Sequence, residues 1–230
     1  MTSDFETQLL EHESLHKLIK EHDINTFAKL PSKDTFSEAF IDWISPKYYD
    51  AFVSIYNTHL GQKSESKVVK VINSPWICNT ETKERLVAML IPRLEAAEQL
   101  SKELQQSIDG NKDLEVIIQV SGSLANSVLN YPNKAIFEVE HPNIISKKNN
   151  IIDHALSICE ELKQYKASSS VEFTFFNGLL DKMKSIHFNE EQQQRYDACL
   201  SKSKSSSNKY IAITVVIAII ALIRLIAAIA

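Results

Sequence analysis

The sequence predicts a mainly α-helical protein: a cytosolic helical bundle of about seven to nine helices with a C-terminal single-pass transmembrane helix. Three observations lead there. Gly occurs only 4 times and Pro 6 times in 230 residues, which is too little backbone punctuation for a β-sandwich or a Gly-rich nucleotide-binding fold. Apolar residues return at helical spacing through most of the chain. Residues 211–230 then form an apolar run in which only Thr214 and Arg224 are polar. The 44% hydrophobic and 23% charged content excludes a disordered chain and a wholly membrane-embedded one.

In chain order, Ser3, Asp4, Phe5 and Glu6 have the form of a capping box. They open a first predicted helix that runs to about Ala28. Thr35, Phe36, Ser37 and Glu38 form a second box ahead of Phe36, Ala39, Phe40, Trp43 and Ile44. Ser45 and Pro46 read as a cap and a first-turn proline, so a new helix is expected there, ending at Gly61. The longest pattern spans Thr80 to Ile108, with Leu86, Leu90, Leu94, Ala97, Leu100, Leu104 and Ile108 on one face. Pro92 is expected to kink this helix and Gly110 to end it. Further helices are expected over Leu114–Val128, Asn150–Lys166, Phe173–Met183 and Asn189–Leu200. Two short β-branched stretches, Lys67–Ile72 and Ala135–Val139, read equally as a strand pair or as helix and loop.

The division expected is a helical cytosolic domain over residues 1–200, a Ser/Lys linker over 201–209 and a membrane tail anchor over 210–230. From Ile211 the run holds eight Ile, two Leu, two Val and six Ala. Twenty helical residues span about 30 Å, the thickness of the hydrocarbon core. The large aliphatics favour insertion by about 4–7 kcal/mol, against roughly 2.5–3.5 kcal/mol for a central arginine. Arg224 is near the end of the run and snorkels to the interface, which lowers that cost. The anchor positions are Ile211, Ile217, Ile219, Ile220, Leu222 and Arg224. Lys202, Lys204 and Lys209 precede them, so the positive-inside rule turns the body to the cytosol. The N-terminal stretch lacks the basic start and apolar run of a signal peptide. The membrane expected is the endoplasmic reticulum or the mitochondrial outer membrane, or the inner membrane of a bacterium.

Chemistry-bearing motifs are sparse. A net charge of -4 with no single-sign block argues against nucleic acid as a partner. Cys78, Cys159 and Cys199 are widely spaced, which indicates neither a disulfide framework nor a structural zinc site. No Walker loop, GxGxxG or GxSxG occurs, and no cofactor is implied. His12, Glu13 and His16 match HExxH, whose two histidines share a helix face and hold zinc while the glutamate polarises its water. His22 stands where a longer pattern places a third histidine, but Ile19 replaces the glycine that turns the chain. The motif reads more simply as a helix surface.

The row from Leu100 to Asp109 loosely resembles a BH3 helix, which docks an apolar stripe into a groove, although Ile108 replaces the small residue before the acid. A helical body with a tail anchor is similar in layout to Bcl-2-type regulators. Their NWGR-type motif is absent, with only Phe176, Asn177 and Gly178 near it. A SNARE layout needs unbroken heptads up to the anchor, whereas Ser168–Ser170 and the polar run from Asn189 to Arg195 interrupt them. The function expected is therefore a tail-anchored protein that presents a helical interaction or adaptor domain to a protein partner. A Bcl-2-like regulator is the alternative, and a zinc peptidase the third reading.

Overall fold

The computed structural model describes residues 2–110, 113–164 and 170–201. Among them the chain is mainly helical, with no strand. Residues 202–230 lie outside the described residues, and with them most of the linker and the anchor positions Ile211, Ile217, Ile219, Ile220, Leu222 and Arg224. Among the described residues no helix is long and apolar enough to cross a membrane.

The N-terminal helix differs from its expectation. In place of one helix to Ala28 there are α1 (Thr2–Glu11) and α2 (Glu13–Glu21), followed by a 3-10 turn over Ile24–Lys29. His12 breaks the path with a non-helical backbone (φ -108, ψ 79). His22 closes α2 in the left-handed region (φ 51), where its N–H donates back into the last turn. Asp23 then caps the 3-10 turn by accepting from the Asn25 N–H. Leu15, Leu18 and Ile19 are the buried side of α2, so its amphipathic spacing serves packing.

Helix α3 (Glu38–Gly61) passes straight through Ser45 and Pro46, where a new helix start was expected. Its real cap is Ser37, whose oxygen accepts from the Phe40 N–H at 3.3 Å. Ser45 does not cap its own helix. Its hydroxyl donates to the Ile41 carbonyl at 2.6 Å and accepts the Asn79 N–H at 2.7 Å. A contact from 34 residues away thus holds the segment that the proline would otherwise loosen. For the two β-branched stretches the helix-and-loop alternative holds: Lys67–Ile72 lies in α4 (Glu65–Ile72), and Ala135–Val139 covers the end of α7 (Tyr131–Phe137) and the turn after it, with α4 and α7 packed against each other. Their adjacency fits a pair, but of helices. Asn130 caps α7 by accepting from the Asn133 N–H, and Pro132 falls in its first turn.

The expected long helix is α5 (Thr80–Gly110), with Asn79 accepting from the Thr82 N–H at its start. Its row Leu86, Leu90, Leu94, Ala97, Leu104 and Ile108 is buried, while Leu100 is half-buried. Helix α6 (Leu114–Ser123) leads into a π-type turn over Leu124–Val128. Helix α8 (Pro142–Gln164) starts eight positions before the expected Asn150, and α9 (Ser170–Met183) follows. The last helix among the described residues, α10, covers 190–201. Its start is a reciprocal cap: Asn189 accepts from the Gln192 N–H, and the Gln192 side chain accepts from the Asn189 N–H.

The chain divides into two compact units. Unit 1 holds residues 1–100 and 128–151, and unit 2 holds 101–127 and 152 onward. Unit 1 is built on aromatic rings. Phe52 meets Phe27, Tyr48, Tyr56 and Trp76 at centroid distances of 5.6–6.2 Å, and Phe40 meets Phe5, Phe36 and Trp43. In unit 2, Ile152, Leu156 and Cys159 of α8, Leu179 and Met183 of α9 and Cys199 of α10 are buried. The Cys159 thiol lies 3.9 Å from the Met183 sulfur.

Candidate functional site

The HExxH residues are placed apart in role. His12 is at the break between α1 and α2, with its ring edge-on to Phe36 at 4.7 Å. The Glu13 carboxylate accepts from the Lys17 ammonium at 2.6 Å across one helical turn. That hydrogen bond and the charge of Lys17 hold the Glu13 carboxyl below its ordinary range. His16 is on α2 beside a hollow of about 180 Å³ that also has Leu10, Trp43 and Lys47 on its lining. Lys47 covers the Trp43 ring at 3.8 Å. Among the described residues no three His, Cys, Asp or Glu side chains come together as metal ligands.

A serine–histidine contact that the sequence did not signal lies in unit 2. Ser101 Oγ is 2.9 Å from His154 Nδ1, joining α5 to α8 across 53 positions. Acyl transfer needs an accessible hydroxyl and free N–H donors for the oxyanion. Ser101 is fully buried within the continuous helix α5, so the pair is an internal tie. The polar cluster around Arg195 is a second tie. Its guanidinium grips Glu160 in a two-bond fork at 2.8 and 2.9 Å. It also donates to Asp153 and Ser157, while Gln192 donates to Asp153. The carboxylates hold the Arg195 pKa above its ordinary value. In unit 1, Arg93 donates to the side-chain oxygens of Asn133 and Asn130 at 2.6 and 3.3 Å. It thereby fixes the start of α7 to α5.

A cleft of about 520 Å³ lies in unit 1. Its walls come from the end of α4, the segment leading into α5, and the α7–α8 connection. Lys33, Trp76, Cys78, Lys83, Glu138 and Glu140 give it its chemistry. Cys78 is buried, and burial pushes its thiol up to about 11 although Lys33 and Lys83 pull the other way. The thiol is therefore protonated and a poor nucleophile at neutral pH. The Trp76 indole N–H donates to the Ile72 carbonyl at 3.1 Å, which fixes the ring. The sequence weighs Cys78 only as one of three spaced cysteines and singles out none of the others, because the fold gathers them from separate stretches around residues 33, 76–83 and 138–140.

No family model matches the chain, and neither the curated proteins nor the solved structures compared with it match. Function therefore rests on the residues themselves.

Proposed function

We propose that this is a membrane-anchored protein whose helical body serves as an interaction or adaptor module on the cytosolic face. The observation that carries the reading is the composition of residues 211–230, whose only charged residue is Arg224. Once inserted as a helix, such a segment satisfies its own backbone and meets lipid with aliphatic side chains. The lysines before it favour retention of the body on the cytosolic side. Confinement to a surface raises the body's effective concentration toward neighbouring proteins, so tethering itself is a functional device. The α5 row is used for packing, which removes the support for a displayed BH3-like ridge. The HExxH glutamate is engaged by Lys17, which lends the peptidase reading no support.

The test is fractionation of cells expressing the full chain or a chain ending at Ser207. The full chain is expected in carbonate-washed membranes, with the body open to added protease on the cytosolic side. The shortened chain is expected in the soluble fraction. A shortened chain that stays with washed membranes overturns the reading.

A further inference from the structure

The geometry points to the unit 1 cleft as a binding site for a small organic oxyanion, one phosphate or carboxylate group on an apolar or aromatic frame, held between Lys33 and Lys83. The first support is the state of the two ammonium groups. Neither has a carboxylate partner among the described residues: the Lys83 ammonium meets only the Glu140 carbonyl, at a long 3.4 Å, and the Lys33 ammonium makes no hydrogen bond there. Elsewhere in unit 1 lysines do take carboxylates, as Lys147 does with Glu98 at 2.8 Å. Both cleft lysines act on the thiol of Cys78, so their positive fields converge on one wall.

The second support is the shape and the remaining lining. A volume of about 520 Å³ exceeds what a bare anion fills and falls within the range of small-molecule sites. Ile72, Ala135, Val139 and the fixed Trp76 ring offer apolar surface for the rest of the ligand. Glu138 and Glu140 are exposed on the same lining. Their charge disfavours a polyanion such as a nucleic acid and limits the ligand to one oxyanion group. The inference is independent of membrane anchoring.

The chain contains two tryptophans, Trp43 and Trp76, so Trp43→Phe leaves Trp76 as the sole reporter at the cleft. The full chain carrying that change is titrated with phenyl phosphate and with benzoate, and benzyl alcohol serves as the neutral control. Saturable change in Trp76 fluorescence is expected with at least one anion and not with the alcohol. Lys33→Gln with Lys83→Gln is expected to weaken binding about tenfold or more, the loss of charge-assisted hydrogen bonds. Lys33→Arg with Lys83→Arg is expected to retain it. Saturation by neither anion overturns the proposal, as does equal response to the alcohol. Undiminished binding in the glutamine pair also overturns it. If that pair fails to fold, the comparison of anions with alcohol on the parent chain decides.

Discussion

One contact from each compact unit shows two different means of holding helices together. In unit 1 Phe52 is fully buried and touches four other aromatic rings. In unit 2 the α8–α10 contact centres on Arg195, whose side chain is still 24% exposed, gripping Glu160 and Asp153. Ring packing depends on area and shape and is indifferent to salt. A partly exposed ionic clamp is orientation-specific but screened by solvent and salt. Contacts between helices in one chain thus differ in their sensitivity to salt, and the deciding residues are few.

Phe52→Ala is the strongest way to break that comparison. It removes a ring from a closed cluster and is expected to cost about 3–5 kcal/mol, the usual range for a deleted core aromatic. A thermal melt checks it, and the loss should be the same at low and high salt. Arg195→Met is expected to cost less, about 1 kcal/mol, because the clamp is partly exposed. Here the loss should shrink as salt rises. If the Arg195 variant loses stability independently of salt, the ionic description of unit 2 fails and packing carries that contact as well.

The buried thiols sharpen the comparison at high pH. The folded chain holds the Cys78 proton more tightly than the unfolded chain, since burial moves its pKa from 9.0 to about 11. The stability it contributes is complete below the unfolded value and is lost as pH rises through the folded one. Burial shifts Cys159 and Tyr48 upward as well. The melting midpoint is therefore expected to fall between about pH 9 and pH 11, with little change below. Cys78→Ala should make that fall shallower and change little at neutral pH. An unchanged slope would show that Cys78 ionises as freely in the folded chain as in the unfolded one.

The elements legible in the sequence were those defined by their own residues. The α5 row, its end at Gly110, the α9 helix and the polar α10 all follow from local periodicity and caps. The misread elements depend on distant partners. Pro46 looked like a helix start because the Asn79 contact that steadies Ser45 is invisible in local sequence. The Lys67–Ile72 and Ala135–Val139 stretches stay open between strand and helix in the sequence, because short β-branched runs suit both, and the α4–α7 packing that decides lies far apart in the chain. His12 breaks its helix with no proline or glycine to announce it. The cleft was illegible for the same reason: Lys33, Trp76, Lys83 and Glu140 meet only through the fold.

We propose that residues 211–230 hold the protein to a membrane and that the described helices form the part presented from it. Ile219→Asp tests it most directly, by placing one carboxylate near the middle of the apolar run at a cost of about 2.5–3.5 kcal/mol for insertion. The quantity to measure is the fraction of full-length chain that remains in carbonate-washed membranes. The account predicts that Ile219→Asp moves most of the protein to the soluble fraction with the melting midpoint of the body unchanged. Retention in the washed membrane at the parent level would contradict it.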